Sequence, residues 1–217
     1  MAALDLEEQE QLDQLKAWWK KHGNLVVTAI TLVFLVIAGI NGWNYYKASQ
    51  ASAAATVFEG LQKLAEKNEP AKVVEAAKAL AEQYPRSTFA AMGQFIAAKS
   101  AFDANDLAAA RTALQWVLDK SSGDELKHLA RVRLAGVMVD QKEFDAALKL
   151  LETARPAHFE ALYADRRGDV FYAMGKPADA RSAWESALAK SEGSGALKSA
   201  IEFKLDLVGG KATPAKS

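Results

Sequence analysis

The 217 residues contain no cysteine and only three histidines. Without cysteine there is no thiol nucleophile, thiolate metal ligand or disulfide. His22, His128 and His158 fall in separate segments, without the paired spacing that places two imidazoles on one metal. No zinc site is expected. His22 is expected near a membrane interface, and the other two on helix surfaces. Excess charge of one sign is also missing, because 27 Lys and Arg balance 27 Asp and Glu. No basic stripe supports nucleic-acid binding. There is no G-x-S-x-G elbow. The GSGALKS stretch (193–199) misses the spacing of a phosphate loop and reads instead as a helix end followed by a helix start. A Ser-His-Asp triad meets only in space and leaves no such trace, but nothing here points to one. The expectation is a non-catalytic chain with no cofactor and no metal.

One local absence is more informative. Residues 22–46 hold no Asp, Glu, Lys or Arg, and from Leu25 to Ile40 the chain reads LVVTAITLVFLVIAGI. A bilayer core is crossed by about 20 mostly apolar helical residues. Trp18 and Trp19 precede the run, and Trp43, Tyr45 and Tyr46 follow it, so rings suited to the headgroup level stand at both ends. Lys16, Lys20 and Lys21 lie close before the run and only Lys47 close after it, which puts the N-terminus on the cytoplasmic side. Ala51-Ser52-Ala53 has the small-residue look of a cleavage site. The run is longer than a signal h-region and its leader is net acidic, so an uncleaved anchor is expected. Gly39 and Gly42 are not a G-x-x-x-G pair; anchoring alone accounts for the span.

Strand-like alternation is absent too. Ala is abundant, and apolar residues recur at three- and four-residue steps. The expected helices are 5–21, 24–47, 49–67, 70–83, 86–104, 106–119, 124–141, 144–154, 157–174, 177–190 and 195–208. Nothing between Ala48 and Ala55 stops the second from running into the third. The expected organisation is a cytoplasmic amphipathic segment (1–23), a transmembrane helix (24–46), a helical domain (47–208) and a flexible tail (209–217). In the first segment Leu4, Leu12, Leu15, Trp18 and Trp19 can share a helix face. That face suits the cytoplasmic membrane surface or a cytoplasmic partner.

The helices downstream come in repeating pairs. AAKSAFDANDLAAARTAL (97–114), LAGVMVDQKEFDAALKLL (134–151) and RGDVFYAMGKPADARSAW (167–184) align with spacings of 37 and 33. Ala98, Ala135 and Gly168 occupy one equivalent position, Ala110, Ala147 and Ala180 another, and Leu114, Leu151 and Trp184 a third. Small residues let two helices approach closely, and bulky ones fill the gap to the next pair. A further pair over 49–83 is degenerate. The pattern resembles the tetratricopeptide repeat, a helix–turn–helix of about 34 residues. The fold class expected is therefore all-α: one N-terminal transmembrane helix followed by a tetratricopeptide-like α-solenoid.

Such stacks are hollow on one side. Positions three before, one after and four after the first small residue are expected to face the hollow. They are Phe95, Lys99 and Phe102, then Val132, Gly136 and Val139, then Asp165, Asp169 and Tyr172, with Met92 extending the set. Two units thus offer an apolar lining and the third an acidic rim. Phe95, Val132 and Asp165 stand where a C-terminal-carboxylate grip would need basic residues, which argues against that mode. The alternative for these side chains is packing under a neighbouring helix or a self-dimer. The charged run Asp165, Arg166, Arg167 and Asp169 reads as local pairing on a solvated face, or as a partner contact.

A wider resemblance covers nearly the whole chain. It rests on the acidic lead, WWKKHGN before the span, GWNYYK after it, and the closing ADRRGDVFYAMGKPADARSAWE. Within that close, Ala164, Asp165, Arg167 and Gly168 are followed by Ala180, Arg181, Ala183, Trp184 and Glu185. These features resemble the YfgM family of bacterial inner-membrane proteins, ancillary subunits of the SecYEG translocon. The resemblance implies a periplasmic repeat domain. It also implies a PpiD-like membrane-anchored chaperone as partner, with unfolded translocating proteins as clients. A scaffold for an envelope assembly unrelated to secretion uses the same design and is the alternative.

Overall fold

The computed structural model describes residues 6–191 and 195–209, and side chains from residue 8 onward. Leu4, Gly193 and nearly all of the expected tail, 210–217, lie outside the described residues. The described residues are helical without a strand, and they divide into two compact units, Met1–Gln50 and Ala51–Ser217.

The first helix, α1, runs uninterrupted over Leu6–Glu66. It merges the three helices expected at 5–21, 24–47 and 49–67. The break expected at His22-Gly23-Asn24 does not occur. Glycine inside a helix costs only about 1 kcal/mol, and the Trp19 indole packs over Gly23, 3.1 Å from where a β-carbon would sit. In the first unit the apolar run is bare: Leu25 is 70% exposed and Phe34 66%. Among the described residues α1 is the one helix long and apolar enough to cross a membrane, and only 6% of its most apolar stretch is buried within the chain. A core helix would be mostly buried, so this run does not serve as one. The hydroxyls of Thr28 and Thr31 donate to the carbonyls of Asn24 (2.7 Å) and Val27 (2.8 Å), so neither needs water. Trp43 stacks against Tyr46 and beneath the Lys47 ammonium.

The second unit starts with the end of α1 and continues through α2 (Pro70–Gln83), α3 (Thr88–Asp103), α4 (Leu107–Lys120), α5 (Asp124–Asp140) and α6 (Phe144–Leu150). A 3₁₀ turn (Ala157–Phe159), α7 (Glu160–Ala173), α8 (Pro177–Ala189) and α9 (Gly195–Leu207) complete it. The periodicity comes from the turns. Asn68, Asn105, Lys142 and Gly175 all take positive φ, at 56°, 61°, 62° and 73°, and succeed one another at intervals of 37, 37 and 33 residues. In each, the next residue's N–H reaches back five residues to a carbonyl: Glu69 to Leu64, Asp106 to Ala101, Glu143 to Met138, Lys176 to Phe171. This left-handed cap ends one helix and reverses the chain into the next. The unit therefore contains four turns in register, and the degenerate pair at 49–83 is a full member.

Its sequence looked degenerate because large and small residues trade places. Counting back 37 residues, Leu61, Val73 and Ala77 stand where Ala98, Ala110 and Leu114 stand in the next pair, and all three are buried. Gly93 makes room for Leu61: a β-carbon there would lie 3.0 Å from Leu80 and 3.3 Å from Leu61. Ala98, Ala110, Ala135, Ala147, Gly168, Ala180 and Trp184 are all buried, as are Leu114 and Leu151. One core runs from Ala54 to Val170, and a second cluster joins α8 to α9 through Trp184, Ile201 and Leu205. Helix α6 stops at Leu150 rather than 154, ahead of Pro156, which disfavours helix at the residue before it, and Arg155 donates to the freed carbonyls of Leu151 (3.0 Å) and Thr153 (3.1 Å). His128, expected on a surface, is buried, with its Nδ1 2.8 Å from the Tyr163 hydroxyl. Burial, and secondarily the Arg131 charge, hold its pKa below the ordinary value.

Gly168 lies beneath Trp184, where a β-carbon would come within 2.8 Å of indole Cε2 and closer still to Nε1. That indole is fixed by donating to the Asp165 carbonyl at 3.1 Å. Gly168→Ala is expected to destabilise the repeat domain by about 1–3 kcal/mol. Gly60→Ala, in an exposed helix interior with nothing within 4 Å, is expected to stabilise it by about 0.5–1 kcal/mol. Thermal unfolding of the full chain in detergent measures both.

Candidate partner-binding groove

Helices α3, α5, α7 and α9, with Leu114 of α4, surround an open groove of about 630 Å³. That lies within the ~300–1,000 Å³ range of ligand pockets. Its floor is Phe95, Ala98, Phe102, Leu114, Val137 and Val139, and its walls carry Lys99, Arg133, Asp140, Arg166, Asp169 and Lys204, with Gly136 between. The aromatics come from one face of α3, seven residues apart. Gly136 keeps α5 low enough for the Arg166 guanidinium to lie across it, 3.2 Å from where a β-carbon would be.

Of the residues expected to face the hollow, Phe95, Lys99, Phe102, Gly136, Val139 and Asp169 line this groove. Met92 is exposed on α3 outside the lining. Val132 does not face the groove: it is 2% exposed and belongs to the core. Asp165 is no acidic rim either, being buried behind Lys204. Tyr172 is exposed beyond the lining, its ring 5.7 Å from that of Trp184. Ala98, expected only to pack helices, contributes to the floor as well.

These departures share a cause. In the first pair the position three before the small residue, Phe95, enters the groove. In the next two pairs it is the position two before, Arg133 and Arg166. The position one after the small residue lines the groove in all three pairs, as Lys99, Gly136 and Asp169, so the stripe keeps its register and only its first position moves by one residue after the first pair. A fixed offset thus selected Val132 and Asp165 and passed over their neighbours. Lys204 comes from α9, outside the repeat pattern, and no local signal marks it.

The electrostatics are set by these placements. Lys204 Nζ lies 2.7 Å from Asp165 Oδ1 and 2.7 Å from Asp169 Oδ1. Arg166 donates to Asp169 Oδ2 at 3.0 Å, and the Trp184 indole donates to Asp169 Oδ1 at 3.3 Å. The cluster read as a solvated face is therefore a tie between α7, α8 and α9. Burial, and then the neighbouring Asp169 charge, push the Asp165 carboxyl above its ordinary range, while Lys204 and Arg166 oppose the shift. Arg133 lies over the Phe95 ring at 4.8 Å, and burial lowers its pKa. It has no acidic partner among the described residues. No group of three or more potential metal ligands occurs among the described residues.

A repeat scaffold of stacked helix pairs, preceded by one long apolar helix and carrying a side groove, is the class this fold defines. A family model described as a tetratricopeptide repeat-like domain matches residues 16–210. A protein of Neisseria gonorrhoeae is 33% identical over 94% of this chain and 98% of its own length. Relatives in Escherichia coli and Haemophilus influenzae are each 29% identical, over 92% and 85% of this chain and 95% and 90% of their own. All three are named ancillary SecYEG translocon subunit. The chain belongs to this family, the YfgM family of tetratricopeptide repeat-like proteins. No solved structure matches it.

Removing Lys204 leaves the buried Asp165 carboxylate, with Asp169 beside it, without its main cation. Lys204→Ala is expected to cost about 1–3 kcal/mol at neutral pH. The sign with pH is set by Asp165. Its folded pKa lies above the unfolded value, so the folded state takes up a proton first and gains stability as pH falls through the folded pKa. Without Lys204 that pKa rises further. The deficit of Lys204→Ala relative to wild type should therefore shrink between pH 7 and roughly pH 4, as read by urea unfolding at a series of pH values.

Proposed function

We propose that this chain is an ancillary subunit of the SecYEG translocon. It is held in the bacterial inner membrane by one crossing at residues 24–46, with residues 1–23 cytoplasmic and the repeat domain periplasmic. The groove is its working surface. It binds a PpiD-like chaperone or segments of proteins leaving the channel, and the chain performs no catalysis itself. Residues 1–23 lie along the cytoplasmic face or engage a cytoplasmic partner.

The observation that carries this reading is that relatives bearing the translocon-subunit name align over 85% or more of this chain, apolar helix and repeats together. The lysines before the run support the orientation. On this reading the scaffold's specificity rests on where it is held and what its groove accepts. The apolar floor suits a partner helix or an unfolded segment with exposed apolar side chains.

Photoreactive amino acids at Met92 and Tyr172, both exposed beside the groove, test the proposal in native membranes. Adducts with the translocon channel subunits and with a PpiD-like chaperone are expected. Adducts confined to cell-wall or outer-membrane assembly proteins would replace this reading with a scaffold unrelated to secretion.

A further inference from the structure

Arg133 is the cation without an acidic partner among the described groove residues. The other cations are committed: Lys99 to Asp103, Arg166 to Asp169, and Lys204 to Asp165 and Asp169. Arg133 rests only on the Phe95 ring, with its guanidinium over the apolar floor. A guanidinium partly stripped of water and without a counter-ion gains most from a carboxylate, which it can hold through two parallel hydrogen bonds. Two helical turns further along α5, about 10 Å away, Asp140 also lines the groove and has no partner among the described residues. It repels a second acid at that end.

Resting on the groove reading above, we infer that the occupant is an internal apolar peptide segment carrying one acidic side chain, whose carboxylate pairs with Arg133 while its apolar side chains cover Phe95 and Phe102. A wholly acidic tract is disfavoured by Asp140. A terminal carboxylate is disfavoured because a grip on a chain end needs several free donors, and Arg133 stands alone. This also modifies the argument against basic residues in the hollow: Val132 is apolar, but the groove position beside it is filled by an arginine.

Capped, fluorescein-labelled ten-residue peptides of Leu and Ala, with Glu, Gln or Lys at the centre, test this against the full chain in detergent by anisotropy. The Glu peptide is expected to bind roughly tenfold tighter than the Gln peptide, and the Lys peptide weakest. Arg133→Gln should remove the preference and Arg133→Glu should reverse it. The Arg133 side chain makes no hydrogen bond or ion pair among the described residues and only rests on the Phe95 ring, so both variants are expected to melt close to wild type. Phe102→Ser should weaken all three peptides alike. Equal binding of the three peptides by wild type overturns the inference and leaves the groove reading standing. Tighter binding of an uncapped all-apolar peptide than of the internal Glu peptide also overturns it, in favour of a terminal carboxylate. Binding of none of them, in protein that still crosslinks to the translocon, overturns both the inference and the groove as the contact surface.

Discussion

A stretch of 25 residues without a charge, exposed on a single helix, is the constraint on which the rest depends. The protein does not cover it. Burying an apolar side chain such as Leu, Ile or Phe is worth about 1.5–3 kcal/mol, and the run from Leu25 to Ile40 carries many of them. Lipid is the environment in which such a surface costs nothing and a continuous helix satisfies its own backbone. The two threonines fit the same environment, since each returns its hydroxyl to a carbonyl one turn back. The repeat domain, joined to this helix, then acts close to a membrane surface.

The repeat domain obeys a second constraint, that a helix with one apolar face must hide it against a neighbour. Four left-handed caps at matching intervals set the reversals, and side-chain size sets how closely the pairs approach. Three pairs were legible because Ala98, Ala135 and Gly168 repeat as small residues and Ala110, Ala147 and Ala180 repeat by identity. The other pair was obscured because its volume is conserved in aggregate rather than position by position. Leu61 takes the place of a small residue, and Gly93 on another helix gives back the space. Periodicity reports residue type, whereas packing conserves total volume, so compensation across helices is invisible in one dimension. The Asn68-Glu69-Pro70 turn matches Gly175-Lys176-Pro177 and was the available signal.

The groove was legible to the extent that it follows one helix. Phe95, Lys99 and Phe102 share a face of α3 at spacings any helix imposes. In the later helices the stripe keeps Gly136, Val139 and Asp169 in register, but its first position is Arg133 or Arg166 rather than the buried Val132 or Asp165. Lys204 arrives from 35 residues beyond Asp169, through tertiary packing of α9. The charge reading changed most as a result. An expected acidic rim is a neutralised tie between helices, and the one uncommitted cation among the groove residues, Arg133, stands next to the valine that the pattern placed there.

Membrane tether and groove combine into one account, in which a generic scaffold gains specificity from the side of the bilayer on which it is held. The direct test is topology, and the absence of cysteine makes it clean. Single cysteines at Gln14 and at Lys176, both exposed, are treated with a membrane-impermeant maleimide in intact spheroplasts and after lysis. The account predicts that Lys176→Cys is labelled without lysis and Gln14→Cys only after it. Labelling of Gln14→Cys in intact spheroplasts, or recovery of the protein in the soluble fraction, would contradict it.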